Sequence, residues 1–184
     1  MRPIPNILAV CTGNVCRSPV IERLLAAALP QAAVSSAGTG APVGTPIARS
    51  MKVQLYQAGV DTSGFVARQL TPTLIDKADL ILTAAAEHRS AVVAQQPTAV
   101  HRTFTLLEFV ASLDSANLSR LAGHTLAERL DVLVRHARQA RPKLRLATTD
   151  IPDPYLQPDE VYDAVFAQIA DAVQTIANAV TAEA

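Results

Sequence analysis

The sequence contains no tryptophan, and aromatic residues account for only 4% of its 184 positions. A hydrophobic core must therefore be packed from aliphatic side chains, and the overall hydrophobic content of 49% is enough for one sizeable core. The length suits a single α/β domain that spans residues 1–184, with room for an insertion.

An excess of charge of either sign is also absent, because sixteen basic residues balance sixteen acidic ones. A neutral chain has no general attraction for nucleic acid or for an anionic membrane, so we expect neither as a partner. No apolar segment reaches the roughly 18 to 20 residues of a membrane span, and the one near the start is too short for a secretion signal. We therefore expect a soluble, cytoplasmic protein.

Cysteine is scarce as well, with only Cys11 and Cys16, five positions apart. Two cysteines so close together cannot form the disulfide framework of a secreted fold, so their roles should be chemical or, for Cys16, a matter of packing. We expect no metal and no cofactor, because the four histidines lack the spacing of a metal site: His88, His101, His124 and His136.

Apolar runs alternate with helical patterns along most of the chain. The runs predict four buried strands, at Ile4–Val10, Ala33–Ser36, Ala78–Thr83 and Val100–Phe104. Between and after them the pattern predicts helices at Ser18–Leu29, Pro46–Ala58, a single turn from Thr71, Ala86–Gln95 and Asp159–Ala182. This alternation predicts a doubly wound parallel sheet that binds ligands at the carboxyl ends of its strands.

Residues from about 105 to 149 interrupt that alternation. Leu106–Leu113 and Leu126–Ala140 have helical patterns, with polar linkers at about Asp114–Gly123 and Arg141–Thr149. We therefore predict an extra helical segment here. Arg135 and Arg138 share a face of the second helix, a pattern more typical of solvated charge than of a binding patch.

The eight residues CTGNVCRS, from Cys11 to Ser18, lie where the first predicted strand ends and a helix begins. Gly13 and Asn14 tolerate a positive φ, so the chain can curl and point successive backbone N–H groups into one anion-binding concavity. The helix N-terminus adds positive potential, which favours bound phosphate and a thiolate form of Cys11 at neutral pH. Arg17 can complete the concavity with a bidentate fork on two phosphate oxygens.

This loop predicts a nucleophile that attacks a phosphate or a similar oxyanion. The thiolate of Cys11 would attack, Arg17 would stabilise charge on the transferring group, and Ser18 can donate its hydroxyl to the sulfur as it departs in a second step. The loop residues expected to bind substrate are Thr12, Gly13, Asn14, Val15, Cys16 and Ser18.

The string CTGNVCRSP at residues 11–19 resembles the signature of the low-molecular-weight protein tyrosine phosphatases. The resemblance extends through SAGT at 36–39, GVDTS at 59–63, ARQLT at 67–71, ADLIL at 78–82 and DPY at 153–155. It implies a three-layer α/β fold with a four-stranded parallel sheet flanked by helices. It also implies a phosphoric monoester hydrolase that forms a cysteinyl-phosphate intermediate on a phosphotyrosine protein or another small phosphomonoester.

A thiolate that attacks phosphorus needs an acid to protonate the departing oxygen, then a base for the water that breaks the thiophosphate. The resemblance assigns both steps to Asp153, which two flanking prolines hold in a rigid loop before the last helix. Asp150 and Asp159 are less favoured, and Asp159 fits a cap of that helix. Ser36 and Asn14 are expected to support the phosphate loop.

The chain departs from the family pattern at several places. Phe65 stands where the family often has a histidine that supports the phosphate loop, and Ala41-Pro-Val43 replaces an aromatic that lines the phosphotyrosine slot. Ala84-Ala85 replaces a Met-Asp pair, and Tyr155 is the one aromatic assigned to the cleft rim. These changes leave open whether the substrate is phosphotyrosine.

Two other functions are compatible with the sequence. The same scaffold resembles thiol-dependent arsenate reductases, but no cysteine follows Cys16 to resolve an arsenate adduct, so such an enzyme would use an external small-molecule thiol. The second is an oxyanion-binding regulatory module with weak or no turnover. The resemblance also suggests that Cys16 traps oxidised Cys11 as a disulfide, and simple packing is an equal alternative. The oligomeric state is open, with a monomer favoured.

Overall fold

A computed structural model of the protein describes residues 4–113 and 125–181. Its strands are β1 (Asn6–Cys11), β2 (Ala33–Gly38), β3 (Leu80–Thr83) and β4 (Thr103–Thr105). Its α-helices are α1 (Arg17–Ala28), α2 (Arg49–Gln57), α3 (Pro72–Lys77), α4 (Ala86–Gln95), α5 (Leu106–Leu113), α6 (Leu126–Ala140) and α7 (Asp159–Thr181).

The four strands form one parallel sheet in the order β2-β1-β3-β4. Ile7 of β1 lies opposite Val34 on one side and Leu80 on the other, and Ile81 of β3 lies opposite Thr103. Parallel strands need crossover connections, and the intervening helices supply them. The predicted three-layer architecture with a four-stranded parallel sheet is confirmed.

Alternate residues of β1 pack into two separate cores, because successive side chains of a strand point to opposite faces. Ile7 and Ala9 belong to the larger core, which is completed by side chains from α1, α2, α5, α6 and α7. Leu8 and Val10 belong to the smaller core, with Ile75 of α3 and Val92 of α4. The end of β1 is therefore enclosed from both sides, and this fixes the position of Cys11.

The fourth strand lies later in the chain than the sequence pattern predicted. Pro97–His101 forms a 3₁₀ helix, and the N–H of Arg102 bonds to the carbonyl of Ala99 before the strand begins at Thr103. The apolar Val100 that suggested strand belongs to this turn. The other predicted elements are present with boundaries moved by a few residues, as helix and strand ends commonly are.

Within the extra segment, the helices at 106–113 and 126–140 have the predicted bounds, and the linker predicted at 114–123 lies outside the described residues. The buried carboxylate of Glu108 accepts bonds from Arg89 Nη1 at 3.1 and 3.2 Å and from Arg141 Nε at 2.8 Å. The Arg141 guanidinium also lies 4.3 Å from the centre of the Phe104 ring. These contacts attach the end of α6 to the edge of the sheet.

No helix of the described ranges is long and apolar enough to cross a bilayer. Arg135 pairs with Asp131 one helical turn away at 3.0 Å, and both side chains are more than 60% exposed. This agrees with the interpretation of that helix face as solvated charge.

Candidate active site

The loop from Cys11 to Arg17 joins the buried end of β1 to the first turn of α1. The chain after β2 supports it through two backbone bonds, from Thr39 N to Cys11 O and from Gly40 N to Thr12 O, each 3.0 Å long. Gly38 lies directly beneath, where a Cβ atom would come 2.4 Å from the carbonyl oxygen of Thr12. A larger residue at this position would displace the loop, so the glycine is required for the close approach.

Asn14 fixes the turn of the loop from within. It is fully buried and has a φ of 53°, in the left-handed region that asparagine tolerates better than most residues. Its Oδ1 accepts the Arg68 backbone N–H at 2.9 Å, and its Nδ2 donates to Ser18 Oγ at 2.9 Å and to Ser36 Oγ at 2.7 Å. Because the backbone N–H can only donate, the orientation of the Asn14 amide is determined by its contacts.

The same logic sets the direction of the neighbouring hydroxyl groups. Ser36 Oγ donates to the buried carboxylate of Glu22 at 2.5 Å, so it accepts from Asn14. Ser18 Oγ also accepts from Asn14, and its own hydrogen is therefore available for another acceptor. The nearer one is Cys11 Sγ at 3.0 Å, and the carbonyl oxygen of Ala37 lies at 3.5 Å. In this network the Ser18 hydroxyl is placed to donate to the Cys11 sulfur, and that role remains a prediction from the sequence.

Cys11 is 2% exposed and lies at the floor of a cavity of about 320 Å³. The cavity is lined by residues of the loop, of the segment after β2 and of the segment at residues 150–155, which we call the acid loop after the predicted role of Asp153. These residues are Cys11, Thr12, Gly13, Val15, Cys16, Arg17, Gly40, Pro42, Thr45, Pro46, Ala48, Asp153 and Tyr155. Of the predicted site residues, Asn14, Ser18 and Ser36 are absent from the lining and form the buried network described above, and the others line the cavity.

Arg17 brings the acid loop to the nucleophile. Its guanidinium is 4% exposed, and it donates from Nη2 to Asp153 Oδ2 at 2.6 Å and from Nη1 to the carbonyl of Ile151 at 3.1 Å. Its Nε is buried and has no hydrogen-bond partner among the described residues. The arginine is therefore held in a fixed position at the cavity wall, with one guanidinium N–H unpaired within the described ranges.

The three candidate carboxyl groups near the last helix have different contacts. Asp153 lines the cavity, whereas Asp150 Oδ1 accepts the backbone N–H of Ala86 at the start of α4, at 2.8 Å. Asp159 is the first residue of α7 and accepts a bond from Ser50 Oγ at 3.0 Å. The geometry therefore places Asp153, and not its two neighbours, at the wall of the cavity that contains Cys11.

Cys16 is also a free, buried thiol at the cavity wall. Burial, followed by the nearby Cys11 and Asp153, raises the pKa of Cys16 to about 12. Its sulfur is therefore protonated at neutral pH, and the neutral thiol is the less reactive form.

The departures from the family pattern have structural counterparts. The Cζ atom of the Arg23 guanidinium lies over the Phe65 ring, 5.6 Å from the ring centre. Arg23 Nε is 3.7 Å from the Glu22 carboxylate. A cation therefore still lies beside the carboxylate that ends the Asn14 network, although the histidine is absent. The Ala84 carbonyl accepts the N–H of Ile151 at 2.8 Å and so anchors the acid loop.

Two residues that the sequence interpretation gave no role lie against the loop. Glu22 terminates the hydrogen-bond network, and its signal in the sequence was an acidic residue among the buried positions of α1. His88, in the first turn of α4, places its Nε2 at 2.9 Å from Thr12 Oγ1. The residues next to His88 in sequence form no motif that would indicate a role for it. The described ranges also contain no group of three His, Cys, Asp or Glu placed to hold a metal ion.

Comparisons with known proteins agree with this geometry. A family model described as low molecular weight phosphotyrosine protein phosphatase matches residues 6–120. A protein of Erwinia amylovora with the name probable low molecular weight protein-tyrosine-phosphatase AmsI is 30% identical over 178 residues, 97% of this chain and 99% of that protein. The relative EpsP of Ralstonia nicotianae is 34% identical over 142 residues, 77% of this chain and 97% of its own length.

Solved structures give the same result. The crystal structure of AmsI superposes with a TM-score of 0.74 at 27% identity, covering 98% of this chain and 95% of that one. The arginine phosphatase YwlE from Geobacillus stearothermophilus superposes with a TM-score of 0.72 at 28% identity, covering 95% and 91%. The protein belongs to the low molecular weight phosphotyrosine protein phosphatase family and is, as its sequence predicted, a phosphoric monoester hydrolase with a cysteine nucleophile.

Proposed function

We propose that the protein removes phosphate from phosphotyrosine in a protein substrate, with Cys11, Arg17 and Asp153 as the catalytic residues. The observation that supports this proposal best is that all three line one cavity, although Asp153 lies 136 positions from Arg17 in sequence. Relatives named as protein-tyrosine-phosphatases support the substrate class.

In the first step the Cys11 thiolate attacks phosphorus and displaces the phenolic oxygen, which takes a proton from Asp153. The product is a cysteinyl phosphate and a free tyrosine side chain. In the second step Asp153, now ionised, removes a proton from water as the water attacks phosphorus. The Cys11 sulfur leaves as a thiolate, to which Ser18 donates, and inorganic phosphate is released.

Arg17 has different partners in the free enzyme and in the proposed complex. In the free enzyme its Nη2 is bonded to Asp153. A phosphate dianion competes for the guanidinium donors and releases the Asp153 carboxylate, which takes up a proton from solvent before it donates that proton to the leaving oxygen. The bond from Nη1 to the carbonyl of Ile151 keeps the guanidinium in place through this exchange.

The cavity wall favours an aryl group over a charged one. Gly13, Val15, Pro42 and Ala48 present apolar surface, and Asp153 is the only carboxylate among the lining residues of the described chain. Phosphoarginine would place a guanidinium against this wall, and burial of a charge without a partner is costly. Tyr155, 54% exposed at the rim, can contact a phenol ring instead.

The decisive experiment compares substrates on the purified protein. We expect hydrolysis of a phosphotyrosine peptide and of p-nitrophenyl phosphate, little hydrolysis of the matched phosphoarginine peptide, and no arsenate reduction with added thiol. Faster hydrolysis of phosphoarginine would transfer the proposal to the activity for which the Geobacillus relative is named. Arsenate reduction without phosphatase activity would refute it in favour of the reductase.

Variants test the assigned roles. Cys11→Ser should abolish turnover. Asp153→Asn should slow hydrolysis of phenyl phosphate by roughly 100 to 10000-fold, the contribution of general acid catalysis, and p-nitrophenyl phosphate less, because its leaving group needs less protonation. Asp159→Asn is the matched control, since this carboxylate contacts Ser50 outside the cavity. Equal slowing of both substrates by Asp153→Asn would assign the acid elsewhere.

A further inference from the structure

His88 is a buried polar residue that the proposed reaction does not use. It lies in the first turn of α4 and is 2% exposed. Its Nε2 lies 2.9 Å from Thr12 Oγ1 and 3.4 Å from Glu87 Oε1. Thr12 directly follows the nucleophile and lines the cavity, so His88 reaches the substrate site through one side chain.

The contacts of His88 determine which ring nitrogen carries the hydrogen. Glu87 presents a carboxylate, which only accepts, on the side of Nε2. The other nitrogen, Nδ1, is buried without a hydrogen-bond partner among the described residues, and a buried N–H left unpaired is costly. The hydrogen therefore lies on Nε2, and Thr12 Oγ1 accepts it.

A hydroxyl that accepts from His88 keeps its own hydrogen for another partner. We infer that His88 is a positioning residue that directs the Thr12 hydroxyl into the cavity, where Thr12 donates to an oxygen of the bound phosphate. The inference rests on the proposed function. It adds one side-chain donor to the backbone N–H groups of the loop and makes Thr12 a substrate-binding residue through its Oγ1.

The surroundings of His88 suit a neutral imidazole. Burial, and then the positive charge of Arg17 on α1, lowers the pKa of His88 below its usual 6.5. Three carboxylates oppose this effect more weakly: Glu87 on the same helix and Asp150 and Asp153 in the acid loop. The ring can thus orient Thr12 at neutral pH without adding a charge that competes with Arg17.

The test measures affinity for inorganic phosphate, as a competitive inhibitor of p-nitrophenyl phosphate and as protection of Cys11 from iodoacetate. Thr12→Val removes the hydroxyl at nearly constant shape and should weaken phosphate binding about 10-fold, as expected for a hydrogen bond to a charged group. His88→Leu removes the donor that orients Thr12 and should also weaken phosphate binding. Thr12→Ser and His88→Gln, which restore a hydroxyl and a neutral donor, should recover most of the affinity.

The double variant Thr12→Val/His88→Leu separates a relay from two independent effects. It should bind phosphate no more weakly than Thr12→Val alone, because His88 acts through Thr12. Full additivity, or phosphate affinity of Thr12→Val within 2-fold of the parent, would overturn the inference. If His88→Leu does not fold, the Thr12 pair decides the matter. A parent protein that neither turns over nor binds phosphate would refute the proposed function itself.

Discussion

Asn14→Ala is the change whose effect the structure defines best. Asparagine and alanine both carry a Cβ atom, so at a φ of 53° alanine is less favourable only by the several-fold preference of asparagine for this region, about 0.5 to 1 kcal/mol. The substitution also leaves the buried Arg68 N–H without its acceptor, at about 1 to 3 kcal/mol, since no water reaches a side chain that is fully buried. Together these effects predict a loss of roughly 1.5 to 4 kcal/mol in the free energy of unfolding.

Asn14→Gly separates the two contributions. Glycine adopts the positive φ freely but makes none of the side-chain bonds, and its unfolded chain has more conformational entropy. We expect this variant to be more stable than Asn14→Ala by roughly 0.5 to 1 kcal/mol, and still clearly less stable than the parent. The difference between the two variants then measures the strain of a Cβ atom at this φ, reduced by the extra entropy of the unfolded glycine chain.

Urea unfolding of the three proteins gives the free energies, and turnover of p-nitrophenyl phosphate reports the state of the loop. Both variants should lose turnover, because Ser18 Oγ and Ser36 Oγ no longer have the donor that sets their direction. The reasoning is refuted if Asn14→Ala unfolds within about 1 kcal/mol of the parent, the value of one ordinary hydrogen bond, and turns over at the same rate.

Three further predictions follow from the surroundings of the loop. With a pKa of about 12, Cys16 is ionised at pH 8 in about one molecule in 10000. Iodoacetamide should therefore label Cys11 and not Cys16, and equal labelling of both residues by mass spectrometry would contradict this. Arg23→Gln removes the cation 3.7 Å from Glu22 and should cost about 0.5 to 1 kcal/mol in urea unfolding, whereas Arg23→Lys should retain part of it. Because the pKa of His88 is lowered in the folded state, the unfolded chain binds its proton more readily, and stability falls as the pH drops below 6.5. Unfolding free energies of the parent and His88→Gln should diverge there, by at most about 1.4 kcal/mol per pH unit, and parallel curves would contradict the assignment.

The fold class was predictable because apolar runs of strand length alternate with helical patterns, and few architectures satisfy that alternation. The position of the fourth strand was not. The apolar residues before Thr103 suit either a strand or a tight turn, and the 3₁₀ bond from Arg102 to Ala99 selects the turn. Short apolar runs carry this ambiguity because periodicity alone does not distinguish them.

The sequence by itself determined the phosphate loop. Cys11, Gly13, Asn14 and Arg17 lie within seven consecutive positions, and a chain reversal over that length depends on neighbours in sequence. Its chemistry and the family therefore followed from one contiguous string. The direction of the Ser18 hydroxyl, in contrast, depends on Arg68, because its backbone N–H orients the Asn14 amide that donates to Ser18.

Only the tertiary structure decided what surrounds that loop. The packing of α1 against β2 brings Glu22 to Ser36, and the start of α4 brings His88 to Thr12. The acid loop reaches Arg17 from more than 130 positions away. A buried polar group bonds to whatever group the fold places within about 3 Å of it, and no local pattern in the sequence records that partner.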